Sequence, residues 1–256
     1  MGSPPTLYIA RRSLLRVTGG GVVGFAILGL TSCGGDDEPA DDAASPPDET
    51  PEPTDEATDA ASEALSWERV DLGFVAAYVL VRGEDAAVVD TGVEGSAPAI
   101  GAVLDSAGPG WAGVRHVVLT HKHPDHVGSA SEVLAEAAGA TGYLGEADLA
   151  EVDAADLQPV NDGDEVFGLQ IVGTPGHTAG HVCVFDPDTG VLVAGDALTN
   201  QGQLGGSPPE FTEDEAMAAE SVRALAALQP STILVGHGTP VTEDAAAALD
   251  ELAASL

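Results

Sequence analysis

The chain has 256 residues, 44% of them hydrophobic, which is enough for one or two domains with a real core. Against 42 Asp and Glu stand only 8 Lys and Arg, a formal net charge of −34. That balance excludes a nucleic-acid binder, which needs a basic footprint, and it repels anionic lipid surfaces.

Residues 1–33 have the layout of an export signal. Arg11, Arg12 and Arg16 form a positive segment, Val17–Leu30 is a weakly apolar run of 14 residues, and small residues precede Cys33. The run falls short of the roughly 18 residues a membrane span needs. The paired arginines resemble a twin-arginine signal, and Leu30-Thr31-Ser32-Cys33 resembles a lipobox. That resemblance implies an exported protein whose Cys33 is lipidated and becomes the first mature residue. The lipid would be its sole hold on the outer face of the cytoplasmic membrane. Residues 34–64 carry twelve acids among Pro, Ala, Ser, Thr and Gly, too polar to offset their ordering entropy. They are expected to form an acidic, disordered tether. Without residues 1–33 the chain keeps 5 basic residues against 42 acids.

Residues 65–256 are the length of one domain. Ala76–Val81 and Ala86–Val89 suit two strands joined by the turn Arg82-Gly83-Glu84-Asp85. Pro98–Ala107 suits a helix ended by Gly108, Val114–Leu119 a buried strand, and Ser129–Ala138 a helix closed by Gly139. Short strands follow at Thr141–Leu144, Val166–Val172, Val182–Phe185 and Val191–Ala194. Thr212–Leu228 is expected to be helical, with Thr212 as cap and Glu215 completing a capping box. Ile233–Val235 is a strand, and Thr242–Ala254 a last helix opened by Thr242, Glu243 and Asp244. Strands with interspersed helices suit a sheet-on-sheet core with helices outside.

The histidines carry the chemistry. His121-Lys122-His123-Pro124-Asp125-His126 places four ligand-type residues in six positions, directly after a strand. In an extended segment His121 and His123 point the same way, while Asp125 and His126 turn toward a second point. Imidazole with carboxylate suits zinc, with iron or manganese as alternatives. His177, Asp196 and His237 each follow a glycine at the end of a segment, where the backbone can turn tightly. Taken singly, each suits an ordinary loop residue. With the first cluster they complete two coordination spheres.

His-Lys-His-Pro-Asp-His, Thr-Pro-Gly-His-Thr, Gly-Asp and Gly-His together resemble the metallo-β-lactamase superfamily. The resemblance implies an αββα sandwich, two mixed sheets with outer helices and metals at one sheet edge. It implies that His121, His123 and His177 hold one divalent ion, that Asp125, His126 and His237 hold the other, and that Asp196 bridges them. Asp90 matches a position near the metals and would support the ligands. Zinc β-lactamases commonly carry Cys where Asp196 stands, so the resemblance leans to the glyoxalase II, lactonase and phosphodiesterase branches. It implies a small-molecule hydrolase in which a metal-bridging hydroxide, oriented by Asp125, attacks an ester, thioester, lactone or phosphoester. The alternatives are a mononuclear-iron, persulfide dioxygenase-like enzyme and a metal-binding lipoprotein without turnover.

His181 is read as a supporting or structural residue, His116 as structural, Cys183 as a buried packing thiol and Tyr143 as a weak candidate proton donor. Residues 197–211 and Gly92–Gly95 are expected to border the site. Neither segment holds a basic cluster, which mildly favours small neutral or acyl substrates. The chain ends soon after its last helix, so the helical substrate domain of glyoxalase II is not expected.

Overall fold

Strand after strand buries both faces, because each sheet is covered by helices on one side and by the other sheet on the other. The computed structural model describes residues 64–154 and 156–256. The export signal, Cys33 and the tether as far as residue 63 lie outside the described residues.

One sheet runs in the order β1 (Ser66–Asp71), β2 (Ala76–Arg82), β3 (Asp85–Val89), β4 (Val114–Leu119), β5 (Thr141–Gly145), β6 (Gln158–Val160). The other contains β7 (Glu165–Val166), β8 (Leu169–Gly173), β9 (Val182–Asp186), β10 (Val191–Asn200) and β11 (Leu204–Gly206), with β12 (Thr232–Gly238) parallel to β10. The period-2 alternation of β2 sorts its side chains. Tyr78 and Leu80 enter the core between the sheets, with Val89 and Val118 on one side and Ile171, Val184, Val193 and Leu234 on the other. Val79 and Val81 face outward, onto α1 (Ala97–Ala107) and α4 (Ala130–Glu136). On the far side α5 (Glu215–Ala226) and α6 (Ala245–Ser255) cover β9, β10 and β12 through Val222, Leu225 and Leu249. The result is the expected αββα sandwich of two mixed sheets.

Several polar links cross it, the bond from Arg69 Nη2 to the Gly238 carbonyl at 3.4 Å among them. Tyr78 Oη donates to the Val235 carbonyl at 2.8 Å. Arg82 Nη2 reaches Asp186 Oδ1 at 2.7 Å, an ion pair whose carboxylate is buried. Among the described residues no helix is long and apolar enough to cross a membrane.

Several boundaries differ from expectation for local reasons. Val166–Val172 is two strands rather than one, because Phe167 and Gly168 both adopt positive φ and fold the chain into a tight turn. The segment Ser129–Ala138 is helical only over Ala130–Glu136, and a separate turn of helix, α3 (Pro124–Val127), precedes it. Between α1 and β4 lies one further turn of helix, α2 (Gly110–Gly113). Helix α5 begins at Glu215, not Thr212. Asp214 is its cap and accepts from the Met217 amide, while the Thr212 hydroxyl donates to the Pro208 carbonyl. The last helix begins at Ala245, after Asp244 in a left-handed conformation with no side-chain cap. Strands β10 and β12 run on through Asp196 and His237, which the sequence had placed just beyond the strand ends.

Candidate metal centre

Parallel pairing aligns strand ends, and that alignment builds the site. β3 and β4 are parallel, so Asp90 after β3 and His121 after β4 emerge at the same edge. β10 and β12 are parallel too, and their register slips on either side of Gly195. The slip is a bulge that aims the next side chain, Asp196, out of the ladder. Gly195 sits at φ +48, where a Cβ would lie 2.7 Å from Thr120 Oγ1 and 2.9 Å from His181 Nε2. At Gly236 a Cβ would lie 2.5 Å from Asp196 Oδ1, so a bare backbone is what leaves room for that carboxylate.

His121 Nε2 and His177 Nε2 each lie 3.0 Å from His123 Nδ1, which joins the loop after β4 to the loop between β8 and β9. His126, on α3, has Nε2 3.5 Å from His237 Nε2, and His237 lies 3.3 Å from Asp125. Asp196 stands between the two groups. Its carboxylate oxygens are 3.3 Å from His126, 3.5 Å from His177 and 3.2 Å from His237. All seven residues singled out in the sequence therefore meet. Within each of three triads the ligand atoms lie within 4.8 Å of one another: His121, His123 and His177; His121, His126 and Asp196; Asp125, His126 and His237.

The donor chemistry fits cations. Burial first, and then the neighbouring imidazoles, push His121 well below the usual histidine range, and burial takes His177 down to about 4. Burial also lowers His123. Neutral imidazoles thus converge with several lone pairs and too few protons to satisfy them. At the other triad burial opposes charge on His126, but Asp90 and Asp196 pull it well above the usual range. Hydrogen bonds to Asp125 and Asp196 raise His237 to about 10. Burial also opposes the charge of Asp196, yet His126 and His237 hold that carboxyl well below the usual range. Its Oδ1 is buried without a hydrogen-bond partner.

The candidate ligands are held from behind. His126 Nδ1 donates to Asp90 Oδ2 at 2.8 Å, which leaves Nε2 free to face the centre. Asp90, itself at φ +63, also accepts from the Thr120 amide and hydroxyl. His237 Nδ1 donates to the Phe74 carbonyl at 2.7 Å. His181 Nε2 accepts from the Asp196 amide at 3.1 Å, and its Nδ1 pairs with the Thr174 hydroxyl at 2.7 Å. Burial lowers His181 to about 3, so it stays neutral and keeps that one tautomer. Cys183 lies behind Thr174, with Sγ 3.2 Å from Oγ1, and burial pushes its thiol up to about 12.

A cavity of about 430 Å³ opens over the cluster, bounded below by His123, Asp125, Asp196 and His237. Gln201, Pro208 and Phe211 from the 197–211 segment line it, whereas Gly92–Gly95 does not. Tyr143 lies elsewhere. It packs at the inter-sheet core beside His116, ring centroids 5.8 Å apart, so it is no proton donor to this cavity.

With this geometry in view, kinship can be asked of the whole domain. The profile of the metallo-beta-lactamase superfamily matches residues 70–159 and 144–237. The chain belongs to the metallo-beta-lactamase superfamily. The probable metallo-hydrolase YflN of Bacillus subtilis is 30% identical over 205 residues, covering 60% of this chain and 76% of YflN. The hydroxyacylglutathione hydrolase of Rhodobacter capsulatus is 32% identical over 155 residues, and the match spans 59% of this chain and 57% of that enzyme's length. Among solved structures, a metallo-beta-lactamase family protein from Thermus thermophilus superposes with a TM-score of 0.60 at 26% identity, covering 75% of this chain and 78% of its own. The protein TTHA1623, solved in a di-iron-bound form, gives 0.59 at 26% identity, covering 71% and 95%.

One residue that serves this superfamily site has no motif to announce it. Asp148, fully buried after β5, accepts from the Lys122 amide at 3.1 Å, the Thr178 hydroxyl at 2.6 Å and the Gly180 amide at 2.8 Å. A single carboxylate thus ties the His121–His123 loop to the His177 loop. Outside them Lys122 Nζ pairs with Glu151 and Glu213. In the sequence it is one of three acids from Glu146 to Glu151, in a chain that has 42.

Proposed function

We propose that this chain is a hydrolase working with two divalent cations. His121, His123 and His177 would hold one, Asp125, His126 and His237 the other, and Asp196 would touch both. The observation that carries this reading is the position of Asp196, within 3.5 Å of a histidine from each triad. Zinc suits the imidazole and carboxylate donors best, and iron or manganese suits them too. The di-iron form of TTHA1623 favours keeping iron in view.

Bound there, two such ions would supply Lewis acidity and an activated water for attack on an ester, thioester, lactone or phosphoester bond. The chain's own residues do the rest. Asp125, kept ionised by its hydrogen bond to His237, lies at the cavity and accepts a hydrogen bond from the attacking water, which orients it. Asp90 and His181 fix the directions of His126 and Asp196, so no reorganisation is needed at the moment of reaction. The cavity admits a small molecule from one side.

Metal analysis of the purified chain, followed by a panel of esters, thioesters and phosphodiesters, tests the proposal. His123→Ala should lose one metal and the activity; retained activity in that variant overturns the mechanism. Oxygen consumption with a persulfide would instead establish the dioxygenase reading, and inert dimetal protein the non-catalytic one. Export with lipidation at Cys33 belongs to the same proposal, supported by the residues at 11–33. Cys33→Ala should move the protein from membrane to soluble fraction, and an unchanged distribution would refute anchoring there.

A further inference from the structure

Two large aromatic side chains stand in water at the mouth of the metal centre. Phe74 is 64% exposed and Phe211 63% exposed, the two most exposed large hydrophobic residues among those described. Leaving such rings in solvent forfeits the gain of burying them. They come from different elements, Phe74 from the turn between β1 and β2 and Phe211 from the segment before α5. Both line the same cavity, together with Pro124 and Pro208, and apart from the histidines and aspartates of the centre Gln201 is the one polar side chain among the lining residues. Phe74 is tied to the centre, because its carbonyl accepts from His237 and its ring stacks on that imidazole, centroids 6.1 Å apart and planes 13° from parallel.

No Lys or Arg lines the cavity. The nearby cations are engaged elsewhere, Lys122 with Glu151 and Glu213, and Arg69 with Asp71. A substrate carboxylate or phosphate away from the scissile bond would find no partner in this strongly acidic chain.

Resting on the hydrolase reading, we propose that the substrate is an uncharged carboxylic ester whose acyl chain is apolar and lies between Phe74 and Phe211. Water oxygen bonds to the acyl carbon, the C–O bond to the alcohol breaks, the alcohol oxygen takes one proton, and the product acid releases the other. Phe74 and Phe211 are specificity-determining residues; they contact the chain of the substrate and not its carbonyl.

The test uses the zinc-loaded full chain and p-nitrophenyl esters from acetate to octanoate, with one ester of matched length ending in a carboxylate. kcat/KM should climb by up to about fourfold per buried methylene and fall at least ~10-fold for the carboxylate-terminated ester. Phe74→Ala and Phe211→Ala should each flatten the octanoate-to-acetate ratio, and Phe74→Leu should keep it. A second readout needs no turnover. The neutral fluorophore N-phenyl-1-naphthylamine should bind both metal-free and loaded chain, and more weakly in either alanine variant. A ratio independent of chain length, or a preference for the carboxylate ester, overturns the substrate class while leaving hydrolysis intact. If no ester turns over, the ester proposal fails, and the hydrolase reading fails with it only when thioesters, lactones and phosphodiesters are inert too; fluorophore binding unchanged by both alanines overturns the apolar pocket.

Discussion

Asp148→Ala separates support of the metal centre from mere surface charge. In the fold this carboxylate is fully buried and receives two backbone amides and one hydroxyl. Its removal leaves those donors without their acceptor in a region closed to water. Each stranded donor costs about 1–3 kcal/mol, and since the three share one acceptor the total should be about 3–5 kcal/mol rather than the full sum. Asp148→Asn keeps the shape but turns an amino group toward one of the amides, so about 1–3 kcal/mol is expected. Trp67 and Trp111 provide fluorescence for urea unfolding of metal-free and metal-loaded protein. Because Asp148 binds the loops carrying His121, His123 and His177, chelator competition should show affinity at that triad weakened about 10–100-fold. The triad of Asp125, His126 and His237 should change less. Stability within about 0.5 kcal/mol of the parent, with unchanged affinities, would refute the reasoning.

Cys183, raised from 9.0 to about 12, and Tyr78, raised from 10.0 to about 12, both hold their protons longer in the fold than unfolded, chiefly through burial. Their contribution is complete below about pH 9 and is lost as pH rises toward 12. The unfolding free energy should therefore fall by up to about 1.4 kcal/mol per pH unit per group across that window, with a shallower slope in Cys183→Ala; a flat profile contradicts it. In a Cys33→Ala background the same thiol should ignore thiol-specific reagents at pH 8 until urea unfolds the chain, and prompt labelling of that native variant would show it is not sealed. Gly195→Ala should cost about 2–4 kcal/mol, from positive φ and from crowding Thr120 and His181, with a matching drop in melting temperature. An unchanged melting temperature would mean the bulge is not constrained as described.

The residues that cluster in the fold were legible because their chemistry is dense and local. Four of them fall within the six positions His121–His126, and the other three follow glycines. The strands were legible from the apolar runs of β2, β3, β4 and β9, while their order in two layers came from the resemblance. Element ends were not. Asp214 outcompeted Thr212 as a cap because its side chain reaches the Met217 amide, and that depends on how the chain leaves Phe211. The extension of β10 through Asp196 depends on pairing with β11 and above all with β12, a partner far away in sequence. Asp148 was hidden for the same reason, since its donors are 26 to 32 positions away. Phe74 and Phe211 look like ordinary core residues in the sequence, and only the fold shows them facing solvent over the metal centre.

Native mass spectrometry of the zinc-reconstituted chain tests the dinuclear centre most directly. Two ions per chain are expected, falling to one in His123→Ala and to one in His237→Ala, with Asp196→Ala weakening both. A parent chain that binds one ion or none, or variants that still hold two, would contradict the centre described above.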